Sequence, residues 1–440
     1  MTPQQQLSQH TVNFGRMIGS VVDAGRGILA KRRQAQQASS GELLTLCHDL
    51  LEHRGEASGL ALASEICERL ETLAPTDLDA FFQSLALDFD VAPEHILASA
   101  KSYSEAPSFD ALATLKRAAE APREKLFRRL NMAPGGTSLL VRLRGQLLGK
   151  LREDPSLRAV DADLKHLFIS WFNQGFLELR RIDWNSPALV LERIISYEAV
   201  HAISGWDDLR SRLHSDRSCF AFFHPALPDD PLVFVEVALT QGTPEAIAPL
   251  LDQQREPVAS EAADTVVFYS ISNCHPGLAG VSFGNFLIKQ VVAELQQTLP
   301  GLKTFVTLSP VPGFRRWLTG ADLSDLVSEQ LAQQVCEPLT GVVTAEVRDA
   351  LIRLCTHYLI NVKGAGAAAA DPVARFHLGN GARLHRLNWG ADLSTKGKQQ
   401  SAGIMVNYLY DLDKIEQNHD AYFDQGEISA SKTVSKLLQH

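Results

Sequence analysis

The segment Thr265-Val-Val-Phe-Tyr-Ser-Ile-Ser272 opens the part of the chain whose pattern constrains the architecture most. Its β-branched and aromatic residues predict a buried strand. Glycines follow at 277, 280 and 284, and apolar residues then recur at helical spacing from Phe283 to Leu299. Pro300-Gly301 ends this helix, because proline cannot continue it and glycine favours a turn. We therefore expect a strand, a glycine-spaced turn and a helix in that order.

A second strand follows the helix and leads to a serine. Thr304–Leu308 is apolar and β-branched, and Ser309 comes next in the run Ser-Pro-Val-Pro-Gly-Phe. Pro310 biases Ser309 towards extended backbone. A hydroxyl at a strand end, facing a helix N-terminus that attracts anions, is well placed for chemistry. An ordinary strand-end serine bonded to backbone is the structural alternative.

Length and composition narrow the class of protein. The 440 residues suffice for two or three domains, and 45% apolar with 21% charged residues is typical of a globular protein with a core. The formal net charge of −9 argues against general nucleic-acid binding. No apolar run approaches the ~18 residues of a membrane span. The six cysteines form no Cys-x-x-Cys pair, which favours reduced thiols over disulfides or a zinc site.

The N-terminus permits two interpretations. Residues 1–40 are basic and nearly free of acidic residues, which weakly resembles a transit peptide. Apolar residues from Met17 to Leu29 also suit an amphipathic helix packed on the body of the protein. We prefer the helix, and with it a cytoplasmic protein.

The chain is predicted to be an α+β protein of two domains. Residues 1–186 show repeated helical periodicity with prolines near helix ends, which predicts an all-α domain for packing or oligomerisation. Residues 187–440 are mixed α/β, with apolar strands at Arg217–Phe223 and Leu232–Leu239 before the central strand–helix–strand unit. A helical insert near 322–360 and two further strands follow. This order is that of the acyl-CoA-binding acetyltransferase (GNAT) fold.

The glycine-spaced turn has two functional interpretations besides a plain loop. Backbone amides at Gly277, Gly280 and Gly284 can approach a diphosphate in front of a helix N-terminus. The run Gly280-Val-Ser-Phe-Gly284 also matches the Gly-x-Ser-x-Gly elbow of serine hydrolases, with Ser282 as nucleophile. That elbow requires the strand to run straight into the serine, whereas Pro276-Gly277 intervene here.

His377 and two tyrosines are candidates to act with Ser309. The segments Arg375–Leu378 and Ala382–Leu387 flank Gly-Asn-Gly, which predicts a β-hairpin with His377 on one face. The strand Ile404–Tyr410 places Tyr408 and Tyr410 on a common face. A solvated histidine and ordinary core tyrosines are the alternatives.

Several motifs in the same order resemble the malonyl-CoA decarboxylase family. They are Ile195–His201, Phe268–Ser272, Gly284–Lys289, Thr304–Phe314, Phe376–Gly381, Asn388-Trp389 and Asn407–Tyr410. The resemblance covers the second half strongly and the helical first half by order and length. It implies a helical N-terminal domain, a GNAT-like catalytic domain and a tendency to form tetramers.

The resemblance also implies functional residues. Ser309 corresponds to the catalytic serine, His377 to the catalytic histidine, and Tyr410 to a supporting tyrosine. The CoA-binding turn comprises Ala279, Gly280, Val281, Ser282, Phe283, Gly284 and Asn285. Some members carry a glutamate where this chain has Ser282, and a serine cannot supply that carboxylate.

The implied reaction converts malonyl-CoA to acetyl-CoA and CO2 through an enolate, in malonate or fatty-acid metabolism. Neither metal, pyridoxal phosphate nor biotin is expected, and CoA is part of the substrate. The expected partners are malonyl-CoA, acetyl-CoA and further copies of the chain in a dimer or tetramer, without nucleic acid or membrane. The chain ends Leu-Leu-Gln-His instead of the peroxisomal Ser-Lys-Leu of some relatives, which fits a bacterial-type cytoplasmic enzyme.

Three other classes stay open on the residues. A CoA-dependent N-acyltransferase would share the CoA turn but transfer its acyl group to an amine. A serine hydrolase would use Ser282. A non-catalytic scaffold would keep an acyl-CoA-binding domain only for its shape.

Overall fold

The computed structural model describes Val22 and residues 42–281, 284–339, 341–364, 366 and 368–438. It divides into two compact units. The first contains the described residues of Met1–Leu177 together with His224–Pro228 and His275–Ser282. The second contains those of Glu178–Phe223, Asp229–Cys274 and Phe283–His440. The predicted helix over residues 17–29, apart from Val22, and the predicted site residues Ser282 and Phe283 lie outside the described residues.

The first unit is helical, as predicted. Its α-helices are α1 (Glu42–Glu52), α2 (Glu56–Glu71), α3 (Pro75–Leu87), α4 (Pro93–Glu105), α5 (Phe109–Ala119), α6 (Pro122–Asn131), α7 (Gly136–Lys150) and α8 (Arg158–Trp171). Short 3-10 helices lie at Pro155–Leu157, Gln174–Phe176 and Pro276–Leu278.

Proline and apolar spacing explain these helices. A proline is the first residue of α3, α4 and α6, where its missing N–H has no intrahelical partner in any case. Ile66 of α2, Leu126 of α6 and Leu147 of α7 are fully buried. Each such side chain contributes about 1.5–3 kcal/mol through burial.

The second unit combines one sheet with helices. Its strands are β1 (Glu178–Ile182), β2 (Arg217–Phe223), β3 (Val233–Thr240), β4 (Thr265–Asn273), β5 (Thr304–Thr307), β6 (Ser309–Pro310), β7 (Arg383–Asn388) and β8 (Met405–Leu409). Its α-helices are α9 (Ala188–Tyr197), α10 (Trp206–Arg212), α11 (Ala248–Leu251), α12 (Gly284–Thr298), α13 (Phe314–Gly320), α14 (Glu329–Cys336), α15 (Ala345–Asn361), α16 (Pro372–Gly379), α17 (Thr395–Ser401), α18 (Ile415–Gln425) and α19 (Lys432–Lys436), with a 3-10 helix at Ser260–Ala262.

The sheet has the order β1-β2-β3-β4-β5-β8-β6, and β7 pairs with β8. β4 and β5 are parallel, with Thr265–Phe268 in register with Thr304–Thr307, and all other pairs are antiparallel. The chain connects the parallel pair through α12. This central strand–helix–strand unit, preceded by antiparallel strands, is the mixed α/β architecture predicted for an acetyltransferase-like domain.

The two units divide the chain differently from the predicted boundary between residues 186 and 187. Glu178–Ile182 belongs to the second unit because it pairs with β2 as strand β1. Two short segments inside the predicted second domain belong to the first unit instead. In that unit, the His224 ring lies 3.1 Å from the Trp171 carbonyl oxygen, and Arg144 bonds to the Gly277 carbonyl oxygen. The predicted helical insert corresponds to α14 and α15.

Candidate active site

Ser309 lies at the edge of the sheet. β5 ends at Thr307, and Ser309 with Pro310 forms the separate two-residue strand β6 against Val406 and Met405 of β8. The side chain is buried, with 7% exposed. The chain then turns into α13 through Val311 and Gly313. Ser309 is thus held by its backbone pairing at the point where the sheet gives way to helix.

His377 lies on a helix, and the predicted hairpin strand at 375–378 is wrong. Asp371 caps α16 by accepting hydrogen bonds from the backbone N–H of Val373 and Ala374, and Pro372 is the first helical residue. Gly381 has φ +79°, a left-handed conformation that favours glycine, so Gly-Asn-Gly ends a helix. Four residues of apparent alternation are too few to separate a strand from a helix. The second half of the predicted hairpin does form a strand, β7.

The structure brings Ser309, His377 and Tyr410 together. The Ser309 Oγ atom lies 3.0 Å from His377 Nε2, and the Tyr410 hydroxyl lies 2.8 Å from His377 Nδ1. The imidazole therefore connects two hydroxyl groups. The Tyr408 ring stacks on the imidazole with centroids 4.6 Å apart and planes at 28°. Tyr408 of β8 thus fixes the ring through its face, and Tyr410, just after that strand, fixes it through its hydroxyl.

Burial sets the protonation of this trio. His377 and Tyr410 are each only 2% exposed. Desolvation lowers the pKa of His377 to about 3 and raises the pKa of Tyr410, because burial disfavours the charged form of each group. The imidazole is consequently neutral at pH 7. It then carries one N–H and one acceptor nitrogen, and each faces a hydroxyl.

A neutral imidazole between two hydroxyls can pass a proton while the ring itself stays uncharged. If Tyr410 donates to Nδ1, then Nε2–H donates to Ser309, and the Ser309 proton is available to a bound reactant. The arrangement therefore supplies general acid chemistry at Ser309.

Of the predicted CoA turn, Ala279–Val281 lie in the first unit. Arg144 of α7 is buried and donates hydrogen bonds to the carbonyl oxygens of Gly277 at 2.6 Å and Ala279 at 2.9 Å. Asp161 of α8 pairs with the same guanidinium at 2.8 Å. A Cβ atom at Gly277 would overlap the Val141 carbonyl oxygen, so this glycine is required by close packing.

Gly280 differs from Gly277 because it adopts φ +76° and lies beside a cation. A Cβ atom at Gly280 would lie 3.0 Å from Lys165 Nζ of α8. The first unit thus places an ammonium group at the turn. Gly284 and Asn285 belong to the first turn of α12 in the second unit.

The serine-hydrolase elbow can be tested only up to Ser282, which lies outside the described residues. β4 ends at Asn273, and the 3-10 helix Pro276–Leu278 separates it from Ser282 in the chain. The strand does not run directly into the serine, as that elbow requires.

Comparison with known proteins identifies the family. A family model described as the malonyl-CoA decarboxylase C-terminal domain matches residues 175–440, and the corresponding N-terminal domain matches residues 89–172. This chain belongs to the malonyl-CoA decarboxylase family. The resemblance carried by the sequence motifs is thereby confirmed.

Individual members of the malonyl-CoA decarboxylase family agree over most of the chain. The crystal structure of malonyl-CoA decarboxylase from Rhodopseudomonas palustris is 50% identical, with a TM-score of 0.85 over 91% of this chain and 100% of that one. The structure from Agrobacterium vitis is 49% identical, with a TM-score of 0.84 over 90% and 99%. The mitochondrial malonyl-CoA decarboxylase of Mus musculus is 35% identical and covers 89% of this chain and 85% of its own length.

The motif Ile195–His201, one of those that resemble the family, holds two elements of the second unit together. Glu198, in the motif Ile195–His201, is buried and accepts hydrogen bonds from the Ser270 hydroxyl at 2.7 Å and the Ser272 hydroxyl at 3.1 Å. It also accepts from the backbone N–H of Val200 and His201. Glu198 therefore ties the end of α9 to β4.

Sequence reasoning missed three residues around these sites: Arg144, Lys165 and Asp371. Asp371-Pro372 is a helix-start signal that would have predicted α16. Nothing local distinguishes Arg144 or Lys165 from other cations on helices. Among the described residues, no group of three or more His, Cys, Asp or Glu side chains is arranged to hold a metal ion. Within the described ranges, every helix is too short or too polar to span a bilayer.

Proposed function

We propose that this chain is a carbon–carbon lyase that converts malonyl-CoA to acetyl-CoA and CO2, with Ser309, His377 and Tyr410 as its catalytic residues. The observation that carries the proposal is the buried Ser309–His377–Tyr410 hydrogen-bond chain, at 3.0 and 2.8 Å, in a member of this family. Family membership supports the reaction class, and the buried chain supports the residue roles.

The chemistry of the substrate explains why so small a site suffices. The carboxylate of malonyl-CoA leaves from a carbon next to the thioester carbonyl, which accepts the electron pair as an enolate. The substrate therefore contains its own electron sink, and metal, pyridoxal phosphate or biotin is not needed. The protein must stabilise the developing negative charge and protonate the carbon. One well-placed donor to such an oxygen contributes about 3–4 kcal/mol.

Proton delivery follows from the neutral histidine. His377 is the source of the proton, and Ser309 positions the malonyl carboxylate and relays the proton from His377 to the carbon. The Ser309 hydroxyl proton moves to the enolate carbon, Nε2–H of His377 replaces it, and the Tyr410 hydroxyl proton moves to Nδ1. The negative charge of the enolate thereby passes to Tyr410, which is a phenolate until a proton from solvent neutralises it. Each turnover consumes one proton and releases one CO2.

The assay that tests this proposal uses purified protein and malonyl-CoA without added metal or biotin. We expect CO2 and acetyl-CoA in equal amounts. Binding of malonyl-CoA without CO2 release would overturn the proposal and favour an N-acyltransferase or a scaffold. An amine-acceptor screen then separates those two, because only the acyltransferase forms an amide.

We further propose that Ala279–Asn285 is the CoA-binding turn. We also propose that Lys165 contacts the phosphates of CoA. The positive φ of Gly280 and the neighbouring ammonium support an anion at this turn. We expect Lys165→Ala to raise the KM for malonyl-CoA about tenfold, since a hydrogen bond to a charged group contributes about 1.5–3 kcal/mol. The KM of a malonyl thioester without the nucleotide should not change.

Steady-state kinetics with both thioesters provides the measurement for Lys165. Lys165→Arg, which keeps the charge, is the matched control and should stay near the wild-type KM. An equal rise in KM for both thioesters would contradict the phosphate contact.

We also propose a cytoplasmic homo-oligomer, dimeric or tetrameric, acting in malonate or fatty-acid metabolism. The relative from Mus musculus is named mitochondrial, which makes that compartment the alternative. Cell fractionation distinguishes the two compartments, and light scattering of the purified protein distinguishes a dimer from a tetramer.

A further inference from the structure

Asp371 is a buried carboxylate that the proposed reaction does not use directly. It is 0% exposed and is the N-cap residue of α16, the helix that carries His377. Its Oδ1 atom accepts hydrogen bonds from the backbone N–H groups of Val373 at 2.9 Å and Ala374 at 3.0 Å. One oxygen of the carboxylate is thus committed to the start of the histidine helix.

The other oxygen binds a different segment. Asp371 Oδ2 accepts a hydrogen bond from the Gly313 N–H at 3.0 Å. Gly313 ends the segment that begins at Ser309 and precedes α13. A single side chain therefore connects the helix of His377 to the segment of Ser309.

Further contacts hold the segment after Ser309 in the position where Gly313 meets Asp371. The Ser401 hydroxyl accepts a hydrogen bond from the Val311 N–H at 3.0 Å. A Cβ atom at Gly313 would overlap the Tyr358 hydroxyl and lie 3.1 Å from Asp371 Oδ2. Gly313 is therefore a glycine because its neighbours leave no room for a side chain.

We propose that Asp371 is a positioning residue that sets the Ser309–His377 distance by bonding Gly313 and the N-terminus of α16 at the same time. The inference rests on the proposed function of that pair. Because a displacement of about 1 Å can cost about 10²-fold in rate, a link between the two segments matters for turnover. Ser309 and His377 are 68 positions apart in the chain, so local structure alone does not fix their distance.

Asp371→Ser separates the two contacts. Serine is a good N-cap residue, so α16 keeps its cap, but the shorter side chain does not reach Gly313. We expect kcat for malonyl-CoA to fall about 10- to 100-fold, with KM within about twofold of wild type. Asp371→Asn keeps the shape but has one acceptor oxygen, so it cannot accept from the α16 N-terminus and from Gly313 together, and its kcat should fall as well. Ser328→Ala, which removes the hydroxyl cap of α14 in the same unit, is the control for cap loss and should keep wild-type kcat.

A double-mutant cycle separates positioning from a general loss of structure. If Asp371 acts by aligning Ser309 with His377, Asp371→Ser should cause no further loss of kcat in a Ser309→Ala background. If its role were only structural, the same fold-loss would recur there. Should Asp371→Ser fail to fold, Gly313→Ala disturbs the same bond from the other side and should give the same loss of kcat.

Two results would overturn the inference: a kcat of Asp371→Ser within twofold of wild type, or an equal fold-loss in the Ser309→Ala background. If Gly313→Ala is used because Asp371→Ser does not fold, a wild-type kcat in Gly313→Ala would also overturn the inference. Failure of the proposed function is a different result, because the wild-type protein would then release no CO2 from malonyl-CoA.

Discussion

At the scale of single residues, burial determines the protonation state of the Ser309–His377–Tyr410 trio. Each of Ser309, His377 and Tyr410 is an ordinary side chain, and exposure to water would leave the histidine partly charged near neutral pH. In the folded protein the pKa of His377 falls to about 3 because its ring is desolvated. The histidine therefore acts as a neutral relay between two hydroxyls.

Removing either member of the reactive pair should abolish most turnover. We expect Ser309→Ala and His377→Asn each to lose about 10²–10⁴-fold in kcat, the contribution of a positioned proton-transfer group. Acetyl-CoA formation measures the loss, and calorimetry should show that CoA still binds.

Ser282→Ala should keep substantial activity in the same assay. Near-normal turnover of Ser309→Ala or His377→Asn would refute the assignment, and labelling of Ser282 by a fluorophosphonate would revive the hydrolase.

Tyr410 should matter through its hydroxyl. Tyr410→Phe keeps the ring, which packs edge-on against Phe268, but removes the hydrogen bond to His377 Nδ1. We expect kcat to fall about 10²-fold with little change in KM. Tyr408→Phe is the matched control in steady-state assays, since it keeps the stacked ring and alters no hydrogen bond to His377. An unchanged kcat in Tyr410→Phe would remove this tyrosine from the relay.

At the scale of elements, capping and close packing decide what the sequence pattern left ambiguous. The residues around His377 form a helix because Asp371 satisfies its first N–H groups and Gly381 permits its end. The Pro276–Leu278 turn lies against α7 because glycine at 277 leaves no side chain between them. In both cases a few residues at an end of the element outweigh the periodicity inside it.

Gly277→Ala should destabilise the protein. The new methyl group would overlap the Val141 carbonyl oxygen of α7, and backbone atoms cannot move away as a flexible side chain can. We expect a loss of about 1–3 kcal/mol, typical of overpacking, in denaturant unfolding. Gly149→Ala is the control. Gly149 lies on α7, the helix that contains Val141, and a Cβ atom there would meet nothing within 4 Å. It should be neutral or stabilising by up to about 1 kcal/mol. Equal stability of the two variants would contradict the close approach.

At the scale of the whole molecule, burial of His377 links folding to pH. The folded pKa of about 3 lies below the ordinary histidine pKa of 6.5, so the unfolded chain binds more protons below pH 6.5. Stability is therefore full above pH 6.5 and is lost as the pH falls from 6.5 towards 3, by at most about 1.4 kcal/mol per pH unit from this residue.

Urea unfolding at pH 7 and pH 5 measures this dependence. His377→Gln removes the titrating group, so wild type should lose more stability than the variant over that interval. His201, whose pKa burial lowers to about 4, contributes the same slope to both proteins and cancels in the comparison. Parallel losses in the two proteins would show that His377 is not buried in its neutral form.

The regular elements follow from local pattern. The strands at 217–223 and 265–272, the helix after the glycine turn and the helical first half were all predicted from periodicity and from proline positions. Local pattern also made Ser309, His377, Tyr408 and Tyr410 candidates, and the resemblance to the family assigned roles to Ser309, His377 and Tyr410. Local pattern misassigned α16, because four alternating residues fit a strand and a helix equally well.

Contacts between distant segments had to come from the folded chain. Ser309 and His377 are 68 positions apart, His377 and Tyr410 are 33 apart, and Asp371 meets Gly313 across 58 positions. Sequence periodicity describes the environment along one element, whereas these distances depend on the register of β6 and β8 and on how α16 packs. The amino-acid sequence thus specified the elements and the chemical groups. The tertiary structure specified which groups meet, because burial and non-local pairing exist only once the chain has folded.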